Sequence, residues 1–343
     1  MSKQSKTVTV MPGGKIFSVE EGESILDAAI RLGHAFPYSC RDGACGTCKG
    51  KLISGQVQYP GKIPPPGLKS GEQEQGFVLF CQASALTDIT IEVEELSAMA
   101  GIPIKNLPCR VVNLEKLCHD VILLQLKLPQ TENFKFLAGQ YLDIIMKDGR
   151  RRSFSMANPP HQAAVLELHI RHVPGGAFSG YVFNELKEKT ILRLRGPLGS
   201  FFLREETANP IIFVAGGTGF APIKSIIEHA LQQNITRPMH LFWGVRTLRD
   251  LYLADLAQSW TQQYPLFKFT PVLSHPLAED EWQGETGWIT QTVAKHYPDL
   301  SSMEIYAGGP PAMIQAGNEL FFTLGLAKNH YFYDSFEYAK DKK

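Results

Sequence analysis

Four cysteines constrain this chain more than any other feature. Cys40, Cys45 and Cys48 stand in a C-x4-C-x2-C run, and Cys81 lies well downstream. Three thiolates on one tight loop, closed by a distant fourth, are the pattern that wraps a [2Fe–2S] cluster, in which four thiolates ligate two irons. Glycine and alanine between them (Gly43, Ala44, Gly46) let the backbone curl closely and aim N–H groups at sulfur. Structural zinc prefers paired C-x2–4-C knuckles, and only one such pair exists in this region. A Rieske centre replaces two cysteines by histidines, and no histidine adjoins the run. The chain is expected to carry a one-electron centre. Cys109 and Cys118 remain over; they could pair, but free thiols in a reducing cytoplasm are expected, where an iron–sulfur protein also belongs.

A length of 343 residues allows two to three domains. Lys+Arg balances Asp+Glu at 34 each, which gives no reason to expect a nucleic-acid or anionic-membrane partner. No apolar run reaches the ~18 residues of a membrane span, and the charged start, Met1 to Lys6, has no apolar stretch of a secretory signal. The expected location is cytoplasmic. Residues 1–97 read as a β-rich unit, with a hairpin around Pro12-Gly13-Gly14 and a short helix capped by Ser24. A Pro/Gly-rich stretch from Gly55 to Gly76 reads as a surface loop, and the acidic end Glu92 to Glu95 as a solvated face. Residues 98–107 look like a linker. Over 108–208, period-two alternation such as Ile122, Leu124, Leu126 and Leu128 suggests an antiparallel barrel, interrupted by a helix bearing Phe178, Tyr181, Val182 and Leu186. Over 209–343, apolar strands alternate with helices, which implies a parallel α/β sheet with ligands at the carboxyl ends of its strands.

Gly216-Gly217-Thr218-Gly219 follows the apolar strand Ile211 to Val214 and precedes a helix. Bare glycines at a helix N-terminus let a pyrophosphate approach backbone N–H groups. A second turn, Gly308-Gly309-Pro310, also ends a strand and opens a helix. In the middle segment Arg150-Arg151-Arg152-Ser153-Phe154-Ser155 groups cation, aromatic and hydroxyl. Arg152 suits a phosphate, Phe154 suits stacking on a flat ring, and Ser155 suits a hydrogen bond to a ring nitrogen. Gly175-Gly176-Ala177-Phe178-Ser179 opens the interrupting helix as another anion-ready terminus. Nicotinamide gives two electrons as hydride and a [2Fe–2S] cluster takes one at a time, so flavin is the economical link.

These motifs together resemble the ferredoxin–NAD(P)H reductase superfamily carrying an N-terminal plant-type ferredoxin domain, as in oxygenase reductase components and CDP-6-deoxy-Δ3,4-glucoseen reductases. The likeness rests on Tyr38 to Cys48, Arg152 to Asn158, Leu168 to Arg171, Gly216 to Gly219 with Pro222, and the ending Asp334-Ser335-Phe336. It implies a multidomain chain with a β-grasp ferredoxin domain, an antiparallel β-barrel FAD domain and an α/β parallel-sheet NAD domain. It further implies that Arg152 and Ser153 belong to the FAD-binding motif, with Arg152 on the pyrophosphate, Phe154 facing the isoalloxazine and Ser155 beside its N5. His169, Ile170 and Arg171 would line the flavin, Gly176 and Ser179 would complete the phosphate site, and Phe336 would cover the flavin where nicotinamide enters. Gly217, Thr218, Gly219, Gly309 and Pro310 would contact the nicotinamide nucleotide. Two departures stand out: Gly308 replaces a common cysteine, and Phe154 a common tyrosine. Arg246 or Arg249 could serve a 2′-phosphate, but the likeness to NADH-using oxygenase reductases favours NADH over NADPH. The implied activity is electron transfer from NADH through FAD and the cluster to a protein acceptor, an oxygenase component or a dehydrase. The alternative is a flavin or iron(III) reductase acting on diffusible acceptors, which intact Cys40, Cys45, Cys48 and Cys81 argue against. A stand-alone electron carrier or redox sensor would leave the glycine turns unexplained.

Overall fold

Short apolar alternations build the first strands. Val8 and Val10 point inward from β1 (Lys6–Met11), which turns into β2 (Lys15–Val19). In the computed structural model, residues 5–337 are described; Met1–Gln4, read above as lacking a signal, and residues 338–343 lie outside them. The chain divides into two compact units, Met1–Pro103 and Ile104–Lys343.

In the first unit, α1 (Ile25–Arg31) begins where the Ser24 hydroxyl accepts the Asp27 N–H at 3.0 Å. Ile25, Leu26, Ala28 and Ala29 bury its inner face. Then come β3 (Lys49–Ser54), β4 (Val57–Gln58), β5 (Phe77–Leu79), β6 (Ser84–Ala85) and β7 (Ile89–Glu92). The sheet order is β2-β1-β7-β3-β5, with β1 and β7 parallel, giving the mixed sheet and single helix of a β-grasp. The stretch 55–76 is not all loop. Val57 and Gln58 pair with Ala85 and Ser84, partners that no local pattern reveals. Glu95, at the acidic end, binds Lys15 at 2.7 Å and His34 at 3.0 Å rather than standing free in solvent.

The second unit opens with six antiparallel strands: β8 (Lys105–Cys118), β9 (Val121–Lys127), β10 (Tyr141–Ile145), β11 (Arg151–Ser155), β12 (Val165–Arg171) and β13 (Ile191–Leu198), with α2 (Ala177–Asn184) before the last. Their order is β11-β10-β13-β8-β9-β12, and a bridge from Met156 to Leu168 joins the ends into a barrel. Leu124, Leu126, Leu166, Leu168 and Ile170 fill it, as the alternation requires. The stretch 98–107 is linker only in part, because Lys105 and Leu107 already pair with Gly196 and Leu194. Pro108 misleads there. It sits in the half of β8 whose only ladder is to β13, where a proline is tolerated as on an edge.

The chain then alternates β14 (Ile211–Gly216), α3 (Phe220–Gln232), β15 (Met239–Val245), α4 (Ala254–Gln263), β16 (Phe267–Leu273), β17 (Glu285–Thr286), α5 (Ile289–His296), β18 (Glu304–Gly309), α6 (Pro311–Thr323) and β19 (Tyr331–Ser335). The sheet is wholly parallel in the order β17-β16-β15-β14-β18-β19. From β14 the chain steps outward three times on one side, then crosses to β18 on the other. The reversal lies between β14 and β18, the place where such sheets open a ligand crevice. No helix among the described residues is long and apolar enough to cross a membrane.

Candidate functional site

The cluster loop is built by backbone that most side chains would forbid. Gly43 has φ +77°, and a Cβ there would stand 2.7 Å from Pro65 Cβ and 2.8 Å from Gln82 Cγ. Arg41 also adopts a positive φ, 61°, held by its ion pair to Asp27 at 2.6 Å and by Gln82 Nε2 donating to its carbonyl at 2.9 Å. The N–H groups of Asp42 and Cys45 both donate to Cys40 Sγ at 3.4 Å. The four thiols fall into two touching pairs, Cys40 with Cys45 and Cys48 with Cys81. Cys45, beside it, and then burial push the Cys40 thiol far up, and Cys48 and burial do the same to Cys81. The hydrogen bond from Cys40 holds Cys45 down at about 7. The raised Cys40 and Cys81 thiols are ones that a bound cation would have to stabilise as thiolates. Two thiol pairs for two irons is the donor set a [2Fe–2S] cluster requires.

The flavin motif occupies β11. Arg152 and Phe154 share one face, opposite Ile144 and Leu142 of β10. Phe154 is half-buried and its ring rests on Phe178 of α2 at 5.2 Å. Ser153 faces the other way and donates its hydroxyl to Asp143 at 2.7 Å, so it secures the strand pair rather than facing Arg152's side. Gly176 caps α2 without a side chain, and a Cβ there would meet Ser179 Oγ at 2.7 Å. The Ser179 hydroxyl accepts the Val173 N–H at 3.1 Å; it shapes the anion loop from behind instead of lining it. Two expectations need correction. Ile170 is 0 % exposed in the barrel core, so only its backbone can reach a ligand. His169 points outward from β12, but into a ring cluster, with Nδ1 3.0 Å from the Tyr252 hydroxyl and its plane stacked toward Phe220. Burial, then the charge of Lys224, holds it neutral, down to about 3.

Ser155 lies at the end of β11, where its buried hydroxyl donates to Asp334 Oδ2 at 3.0 Å. Asp334 is on β19, paired with Gly308 of β18, and the Phe336 N–H donates to Gly309 O at 2.9 Å. The two glycine turns touch. A Cβ on Gly219 would overlap the Gly308 carbonyl oxygen, so backbone packs on backbone where the crevice opens. Trp243 stacks on Phe220 at 3.9 Å and donates its indole N–H to Gly217 O at 3.0 Å, fixing the first turn from below. A cleft of about 250 Å³ extends from there, lined among others by Arg171, Thr218, Arg246, Asp250, Pro310 and Trp288. Arg171 is tied to Asp120 at 2.8 Å beside Gly217. Bare turns, a helix start and arginines fit a dinucleotide.

Sequence reasoning missed the Asp334 partnership with Ser155, the ring cluster under Gly217, and Trp288, whose side chain is 65 % exposed on the cleft rim. It also missed Lys224 and Ser225 of α3. Lys224 Nζ donates to Ala157 O at 3.2 Å and to Glu228 at 2.9 Å, and the Ser225 hydroxyl to Asn158 O at 2.8 Å. These bonds fasten the nucleotide helix to the residues that follow Ser155.

Comparison with known proteins agrees with this geometry. The chain matches the 2Fe-2S iron-sulfur cluster binding domain over residues 8–86, the oxidoreductase FAD-binding domain over 108–203 and the oxidoreductase NAD-binding domain over 213–319. It is 40% identical to the CDP-6-deoxy-L-threo-D-glycero-4-hexulose-3-dehydrase reductase of Yersinia pestis, over 98% of this chain and 100% of that one. It is 36% identical to terephthalate 1,2-dioxygenase reductase component 2 of a Comamonas species, over 93% and 94%. Among solved structures it resembles the Amycolatopsis cytochrome P450 reductase GcoB, with TM-score 0.81, 32% identity, and 96% and 98% coverage. The ferredoxin reductase in carbazole 1,9a-dioxygenase follows at TM-score 0.71 and 29% identity, over 98% and 100%. The chain therefore belongs to the ferredoxin–NAD(P)H reductase superfamily with an N-terminal [2Fe–2S] domain, oxidoreductases that pass electrons from a nicotinamide nucleotide to a partner.

Proposed function

We propose that this chain takes hydride from NADH at the crevice between β14 and β18 and delivers single electrons to a protein acceptor. The observation that carries it is the convergence of Ser155, Asp334, Gly308 and Gly219 on one point, next in sequence to Gly216, Gly217, Thr218 and Pro310, which line a 250 Å³ cleft. A bound FAD supplies exchange between an electron pair and single electrons, and a cluster on Cys40, Cys45, Cys48 and Cys81 carries them one at a time. Arg152 and the α2 terminus at Gly176 hold the flavin pyrophosphate, and Phe154 packs on its ring. Asp334, by accepting from Ser155, fixes the hydroxyl that hydrogen-bonds near the reacting ring nitrogen. Phe336 closes the nicotinamide side. Arg246 and Trp288 receive the adenosine end, and the carboxylates of Asp120 and Asp250 on the same cleft oppose a 2′-phosphate, favouring NADH over NADPH.

The acceptor is a CDP-6-deoxyhexulose dehydrase, as full-length similarity to the Yersinia reductase supports; an oxygenase component is the second reading, supported by the Comamonas relative. Anaerobic NADH should bleach flavin and then cluster absorbance, and each candidate acceptor is then added. Cys45→Ser should abolish cytochrome c reduction while ferricyanide reduction persists. Retained cytochrome c reduction in that variant would instead favour a reductase of diffusible acceptors.

A further inference from the structure

We propose that Cys118, His119 and Asp120 form a zinc-class cation site on the rim of the nucleotide cleft. The β8–β9 connection is a two-residue hairpin in which Cys118 pairs with Val121, so the turn gathers three different donors. A sulfur, an imidazole nitrogen and a carboxylate oxygen lie within 4.8 Å of one another. Asp120 Oδ1 is the common point, 3.4 Å from Cys118 Sγ and 3.8 Å from His119 Nε2. Tetrahedral zinc, with bonds of about 2.0–2.3 Å, holds its ligands roughly 3.3–3.8 Å apart. A mixed S, N and O set suits zinc and excludes magnesium and calcium, which take oxygen alone.

The outer groups strengthen the assignment. His119 Nδ1 lies 3.7 Å from Asp250 Oδ1, beyond hydrogen-bond length but near enough for a small closure to make the carboxylate–histidine pair that orients a ligating imidazole. Asp120 turns its other oxygen, Oδ2, to Arg171 Nε at 2.8 Å. Asp120 thus has one oxygen for the metal and the other already engaged behind it. Three protein donors leave a fourth position open to the solvent, because His119 is exposed. Asp120, Arg171 and Asp250 also line the cleft, so the ion neutralises two carboxylates where an anionic dinucleotide enters. This coupling rests on the nucleotide reading above, whereas binding of the ion does not.

The test uses the full holo-protein with Zn2+ alone as probe, by equilibrium dialysis and metal analysis, with flavin and cluster absorbance followed throughout. One zinc per chain should be retained with cofactors intact and about one proton released from the thiol. Cys118→Ser and His119→Ala should each weaken binding at least on the order of tenfold, and Asp250→Asn by a similar factor through orientation. Neither Cys118→Ser nor His119→Ala should alter zinc-free turnover of NADH with ferricyanide. In the parent protein zinc should lower KM for NADH, and in those variants it should not. No retained zinc, zinc that tracks cluster loss, or undiminished binding in the Cys118→Ser/His119→Ala double variant overturns the site. Site binding with an unchanged KM overturns the coupling alone.

Discussion

Replacing Lys224 with methionine tests how the nucleotide helix is fastened to the flavin strand. Lys224 is 7 % exposed, and its ammonium meets Glu228 at 2.9 Å, Ala157 O at 3.2 Å and Glu167 at 3.6 Å. Methionine keeps the bulk but leaves two carboxylates facing each other and a carbonyl without its donor. Breaking a buried pair from one side costs about 3–5 kcal/mol. At roughly 2–4 °C per kcal/mol for a unit of this size, thermal release of flavin fluorescence should occur well over 5 °C lower. The pH dependence has a definite sign. Burial already raises the Glu228 carboxyl above its ordinary 4.5, with the Glu167 charge adding to it and Lys224 opposing both. Without Lys224 the folded value rises further. The folded state then prefers the protonated acid, so the penalty is absent below the unfolded value near 4.5 and grows as pH rises through the folded one. The deficit of the variant should therefore be smaller at pH 5 than at pH 8. Flavin bleaching by NADH should also slow, because Ala157 follows the Ser155 segment directly. A loss under 1 kcal/mol, or a deficit that shrinks toward high pH, would refute the reasoning.

Three further outcomes follow from single contacts. Ser155→Ala removes the hydroxyl whose proton Asp334 accepts and whose oxygen is left to accept from the reduced ring's N–H; it should slow stopped-flow hydride transfer about tenfold or more while FAD stays bound. Trp288→Ala takes an exposed indole from the cleft rim; KM for NADH should rise on the order of tenfold with kcat little changed, and an unchanged KM would remove it from the nucleotide site. The Thr47 hydroxyl is buried with no hydrogen-bond partner and stands close enough to Cys45 to help hold its thiol down, after Cys40. Thr47→Val should lower the cluster midpoint potential by roughly 40 mV, the one-electron equivalent of ~1 kcal/mol, read by spectroelectrochemical titration.

Most of the chemistry was legible because it is local. The spacing of Cys40, Cys45 and Cys48 encloses a cluster whatever lies around it. Gly217 and Gly219 announce a close backbone approach, which the packing of Gly219 on Gly308 bears out, and the phosphate and ring proposed for Arg152 and Phe154 rest on two residues of one strand. The alternation Leu166, Leu168, Ile170 already puts Ile170 on the core face, and only the resemblance drew it toward the flavin; what the fold alone decides is that His169, on the opposite face, meets Tyr252. The stretch 98–107 looked like a linker throughout because the one-sided pairing that starts β8 at Lys105 depends on strands far along the chain.

The sequence by itself determined which cofactors this protein can hold, since thiolate spacing and bare glycine turns are short-range requirements of ligand chemistry. Only the tertiary structure decided how β11 of the barrel and β19 of the parallel sheet come together. Ser155 and Asp334 are 179 residues apart, and they touch because the parallel sheet reverses its direction of growth between β14 and β18. Strand order is set by which apolar faces pack most fully together, a property of the whole chain that no window of residues contains.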